Sequence, residues 1–79
     1  MKYVVINVYD REIVDVGVAN TKEEAMEIMK EDFLYVFTEY CNIEDFENKV
    51  GFGDSWEITD NYAWLNARIE YDWKIIEVE

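Results

Sequence analysis

Between Asn20 and Thr21 the apolar period of this chain changes from two to 3.6, which confines its N-terminal half to a hairpin followed by a helix. From Tyr3 to Ala19 apolar residues alternate in the manner of two strands. With Asp10-Arg11-Glu12 as a three-residue loop, Val8 falls opposite Val14, Ile6 opposite Val16 and Val4 opposite Val18, so that one face is wholly aliphatic. The other face then pairs Tyr9 with Ile13, Asn7 with Asp15 and Val5 with Gly17. A two-residue loop would instead set Asp15 beside Ile6 and mix the faces, which burial of one face penalises. Thr21-Lys22-Glu23-Glu24 has the S/T-x-x-E form of a capping box, in which cap and third residue satisfy each other's backbone donors. In the helix that follows, Ala25, Met26, Met29, Phe33, Val36, Phe37 and Tyr40 share one broad stripe, with the valine face of the hairpin as its expected support.

After Cys41 the period is lost. Asn42 to Ser55 gathers acids and two glycines and reads as a loop, with a short helical turn around Glu44 to Asn48. Trp56 to Thr59 and Tyr62 to Leu65 are short apolar pieces around the turn signal Asp60-Asn61, and Asn61 to Glu70 fits a strand and a short helix equally well. Asp72 to Glu79 reads as a final strand in the sheet interior, beside the first hairpin. The expectation is one α+β domain over 1–79, an antiparallel sheet of three to four strands with one long helix packed on one face. The order is ββα, then short elements and a last β. A chain of 79 residues buries only about 60–65 % of its unfolded surface. Three Trp, six Tyr and four Phe compensate, because each buries far more area than an aliphatic residue.

Nineteen Asp and Glu against seven Lys and Arg leave a formal charge of −12. Such a surface repels nucleic acid and anionic membranes and draws basic proteins from a distance. Neither direct nucleic-acid binding nor membrane association is expected. The N-terminus has no signal-peptide pattern, no window reaches the ~18–20 apolar residues of a bilayer span, and Cys41 has no partner for a disulfide, so a cytoplasmic setting is expected.

Chemistry is excluded mainly by missing residue types. Histidine is absent, Ser55 is the one serine, and neither a nucleophile elbow nor a phosphate-binding loop occurs, so no catalytic triad can be assembled. One Cys without His does not hold zinc, and Asn42 to Glu57 lacks the ligand order of an EF-hand. Catalytic, cofactor and metal residues are therefore all expected to be none. The outer face of the helix is the better candidate, since carboxylates four residues apart lie about 5–6 Å from one another and a second acidic row follows. Glu24, Glu27, Glu31, Glu44, Asp45 and Glu47 are expected to stand in for phosphates, with Leu34 and Tyr35 as apolar contacts on an arc that also includes Ile28. A charged helix face is, as a rule, simply solvated. The aromatic group Trp56, Trp64, Tyr71 and Trp73 has only Arg68 and Lys74 nearby, so packing explains it better than base stacking.

The run Ala63-Trp64-Leu65-Asn66 with Tyr71-Asp72-Trp73-Lys74-Ile75-Ile76-Glu77-Val78 resembles a segment of small proteins from anaerobic Gram-positive bacteria and their phages. That resemblance implies a mobile-element context and transfers no functional residue. In size and charge the chain is similar to anti-CRISPR proteins and other phage-encoded DNA mimics. This second resemblance implies an inhibitor that occupies the nucleic-acid site of a basic nucleic-acid-binding protein, for example a Cas nuclease. The alternative is a structural or adaptor domain that self-associates through its aromatic C-terminal elements, its acids serving solubility. A monomer or weak homodimer fits either reading.

Overall fold

The computed structural model describes residues 1–78, so Glu79 of the expected last strand lies outside the described residues. Strands β1 (Lys2–Tyr9) and β2 (Glu12–Ala19) form the N-terminal hairpin. Its loop has two residues rather than three. Asp10 and Arg11 take φ of 50° and 65°, the left-handed pair of a type I′ turn, whose twist matches that of the strands it joins. Tyr9 therefore pairs with Glu12, Val8 with Ile13, Asn7 with Val14 and Ile6 with Asp15, in place of the expected Val8–Val14 and Ile6–Val16 pairs. A β-bulge at Val16 then absorbs one residue, and the expected pairs Val5–Gly17 and Val4–Val18 are restored.

Helix α1 (Lys22–Tyr40) starts where the period changes, and the Glu24 N–H donates to Thr21 Oγ1 at 3.2 Å, the half of the capping box that is formed. A short α2 (Ile43–Glu47) follows, then β3 (Trp56–Ile58), β4 (Tyr62–Asn66) and β5 (Glu70–Val78). The sheet has five strands, more than the three to four expected, in the order β2-β1-β5-β4-β3 with every neighbour antiparallel. The additional strands are the two short pieces around Asp60-Asn61. Thr59 Oγ1 accepts from the N–H groups of Asn61 and Tyr62, which closes a tight hairpin and settles Tyr62 to Asn66 as strand. As expected, β5 lies inside the sheet, beside β1.

The α+β class holds, but α1 covers the other face of β1. Val5 and Asn7 are buried beneath it, whereas Val4, Ile6 and Val8 lie on the open side. Register with the central strand explains the choice: Asn7 pairs with Trp73, Trp73 with Ala63, and Leu65 with Trp56. The face holding two tryptophans and a leucine buries much more apolar area than three aliphatic residues, and β1 must follow its parity. Of the expected helix stripe, Ala25, Met29, Phe33, Val36 and Phe37 are buried, while Tyr40 is partly exposed. The helix also approaches β2 closely, since a Cβ at Gly17 would lie 3.1 Å from Ile28 Cγ2. Ile28 accordingly packs against the core and leaves the exposed arc on which it was expected.

Two non-glycine residues at positive φ make the first turn costly. Replacing Asp10-Arg11 by Asn-Gly is expected to raise stability by about 0.5–1 kcal/mol, read as a higher urea midpoint at unchanged slope.

Candidate functional site

The acids are distributed unevenly. Helices α1 and α2 together carry nine carboxylates against Lys22 and Lys30, a net −7 of the chain's −12. Glu24, Glu27 and Glu31 are exposed on α1, and Tyr35 is 69 % exposed on the same arc. Leu34 is half-buried and packed on the core, which makes it a poorer contact than expected. Glu44 and Glu47 are exposed on α2, while Asp45 is half-buried and its carbonyl accepts from Val50 N–H at 2.8 Å. Phe46 fastens α2 beside α1 through ring contacts with Phe33 and Phe37, so both acidic rows belong to one helical layer. Lys30 also lies exposed on α1 and interrupts the acidic arc. Two other lysines are engaged by neutral groups: Lys22 donates to the side-chain oxygen of Asn61, and Lys49 lies 5.5 Å from the Phe52 ring centroid.

On the flank of the same helix, between α1 and the β1–β2 end of the sheet, is a cleft of about 390 Å³. Its polar wall is one connected group. The buried Trp73 Nε1–H donates to Asp32 Oδ2 at 2.7 Å, and Asn7 Nδ2 approaches the same oxygen at 3.5 Å. Asn7 is only 5 % exposed, and its Oδ1 has no hydrogen-bond partner. Tyr9, Tyr35, Tyr71 and Glu39 line the remainder, together with Asp15 and valines of β2 and α1. Tyr9 and Tyr71 lie with ring centroids 5.4 Å apart, and the Tyr71 and Tyr40 hydroxyls share a hydrogen bond of 3.0 Å. That bond, with burial and the charge of nearby Glu39, pushes the Tyr71 hydroxyl up from 10.0 to about 12.

The third surface is the uncovered side of the sheet. Val18 and Ile13 are 64 % and 70 % exposed there, next to Val4, Ile6, Val8 and Ile76, and a shallow groove of about 560 Å³ runs between Ile6, Val8, Tyr62 and Ile76, with Asp72 and Lys74 in its lining. Of the aromatic group singled out above, Trp56 and Trp73 are buried in the core. Trp64 is half-buried and shares Glu57 Oε1 as acceptor with the Tyr62 hydroxyl, each at 3.2 Å. Among the described residues, no group of three or more His, Cys, Asp or Glu could hold a metal ion, and no helix is long and apolar enough to cross a membrane. Cys41 is a half-buried free thiol.

Comparison of the chain with family models, curated proteins and solved structures finds no match. The cleft was missed in the sequence although one signal pointed to it, Asp32 at the edge of the apolar stripe of α1 beside Phe33; the core position of Asn7 depends on its pairing with Trp73 and could not be read locally.

Asp32→Ala strands two donors, one of them a buried indole, and is expected to cost about 1–3 kcal/mol in urea denaturation. Asp32→Asn keeps an acceptor for the indole and should cost clearly less. Tyr71 generates a second prediction. Because its folded pKa is raised, the neutral form is favoured by the fold; this contribution is complete below pH about 10 and is lost as pH rises through about 12. Tyr71→Phe should remove that part of the alkaline loss of stability, and the latest step of the tyrosinate absorbance titration should vanish with it.

Proposed function

We propose that this chain is a non-catalytic interaction domain that binds a basic nucleic-acid-binding protein and occupies its nucleic-acid surface. A Cas nuclease is the concrete case, in keeping with the resemblance to anti-CRISPR and DNA-mimic proteins. One observation carries the reading: more than half of the surplus negative charge belongs to one helical layer, whereas the opposite sheet face mixes Asp72 and Lys74 with exposed aliphatic residues. An acidic surface concentrated in this way raises the local field, speeds encounter with a positive patch and disfavours nucleic acid itself. Glu24, Glu27, Glu31, Glu44 and Glu47 would take the place of phosphates, with Asp45 at their edge and Tyr35 as the aromatic contact; Leu34 contributes only its exposed side.

The open sheet face supports a second reading, self-association. The contact would then be made by Val4, Ile6, Val18 and Ile76, with Tyr62 and Trp64 contributing from the C-terminal half and the two buried tryptophans taking no part. Contiguous exposed apolar area of this kind marks protein contacts.

Displacement of duplex DNA from a purified basic nuclease separates the two. On the first reading the chain competes with DNA, its potency falls steeply with added salt, and Glu27→Lys with Glu31→Lys weakens it by about tenfold or more. Competition that ignores both salt and charge reversal overturns it. A dimer by sedimentation that is unaffected by salt supports the second.

A further inference from the structure

We infer that the free edge of β2, at Glu12–Asp15, takes an extended protein segment of alternating basic and aliphatic residues as a sixth strand, with α1 as the side wall of the groove it enters. The inference rests on the reading above only for the owner of that segment, the basic partner.

The two edges of the sheet differ. β3 has three residues, and its outer side is closed by the preceding loop, where Gly53 N–H donates to the Trp56 carbonyl at 2.8 Å. Short length and a covering loop are common protection against a further strand. β2 has eight residues, no lysine and no proline, and among the described residues no backbone hydrogen bond outside the β1 ladder reaches Glu12–Ala19. In an antiparallel ladder alternate residues turn N–H and C=O away from the neighbour, so this edge presents unpaired donors and acceptors. The bulge at Val16 interrupts the ladder and leaves Glu12–Asp15 as its regular run.

The surroundings of that run select the segment. Val14, paired with Asn7, is on the helix side, where the cleft opens between it and Tyr35 and Glu39 of α1. A strand laid about 4.8 Å beyond β2 sets alternate side chains at the mouth of that cleft. They meet the carboxylates of Asp32 and Glu39 and the Tyr35 ring, with no lysine or arginine in the lining, so basic side chains fit there. The intervening side chains fall on the open side next to Ile13, which pairs with Val8 and is exposed. Aliphatic residues fit these positions. A second copy is a poor occupant, because its edge brings Glu12 and Asp15 again and the whole chain brings a further −12.

Strand addition relies on backbone hydrogen bonds, which charge attraction alone does not need. In an NMR experiment the chain is titrated with a capped peptide of about eight residues that alternates arginine and valine. At saturation amide exchange should slow about fivefold or more at alternate residues of Glu12–Asp15 and stay unchanged in β3. The same peptide N-methylated at every backbone amide keeps its charge but has no backbone donor, and should bind about tenfold more weakly. Tyr35→Ala and Glu39→Gln, both at exposed positions, should weaken the arginine-valine peptide by roughly two- to fivefold each. Absence of protection in β2, equal binding of the methylated peptide, or indifference to both substitutions overturns the proposal. Protection of β2 that rises with protein concentration without peptide, together with a dimer in sedimentation, identifies a second copy as the occupant and overturns it too. Glu44→Lys with Glu47→Lys alters α2, which lies beside Trp56 at the other edge of the sheet, and should leave the protection in place. Failure of the acidic helical layer is read from DNA displacement and failure of the strand site from exchange, so the two are distinguished.

Discussion

One 19-residue helix has to close a five-stranded sheet, and the Phe33 ring makes this possible. Strands about 4.8 Å apart make a sheet about 20 Å across, roughly twice the diameter of a helix. Aliphatic side chains on α1 would leave the far strands uncovered. Phe33 is fully buried and meets Phe37, Phe46, Trp56 and Trp73 with centroids 5.2–6.0 Å apart, so that rings carry the core sideways from the helix axis to the edge strand. Trp56 is tied to the preceding loop as well, its Nε1–H donating to Val50 O at 2.7 Å. The loop before β3 is thus held by the same aromatic unit that fills the core. Helix α2 has only five residues and would not persist alone, and it owes its position to Phe46 in that unit.

The aromatic solution introduces polar atoms into the core. Burying Trp73 puts an indole N–H in the interior, and such a donor has to be paired. Asp32 supplies the acceptor from within the helix stripe, which opens the helix flank at that point and brings Asn7 into the same group. The cleft is therefore a consequence of how the tryptophan is accommodated. Tyr71, next to Trp73 on the helix-facing side of β5, extends the wall by stacking on the indole at 5.9 Å. The polar wall of the cleft, a carboxylate paired with a buried indole beside a row of tyrosine rings, thus follows from the stability requirements of the core.

The change of period at Asn20-Thr21, the cap, the helix stripe and the place of β5 could all be read from the residues, because each rests on local patterning. The hairpin register could not. Excluding a two-residue loop because Asp15 would meet Ile6 was wrong: the two do pair, and the bulge at Val16 confines that mismatch to the turn end of the ladder. An inserted residue leaves no trace in a pattern of alternating valines. The buried face was misread for a related reason. Counting aliphatic residues on one hairpin favoured Val4, Ile6 and Val8, whereas parity was set by Trp73, almost seventy residues away in the chain, through a long-range strand pair. Of the expected contact residues, the glutamates were legible as an exposed arc, while Leu34 and Ile28 were not, because a helical wheel ignores the neighbour that fills the edge of the stripe.

The two faces of the molecule impose opposite demands on association. The helical layer repels another copy of itself at low ionic strength, whereas the open sheet face exposes Ile13 and Val18 on the edge strand β2, where a further strand could pair. A homotypic contact through the sheet would leave both acidic layers pointing outward, free for the basic partner proposed above. The same geometry separates affinity from encounter. Exposed charge of this kind acts on the rate at which a positive surface arrives, whereas contacts that exclude water act on the lifetime of a complex. Exposed acids can vary individually with little loss of stability, but Asp32 cannot, because it pairs the buried indole of Trp73.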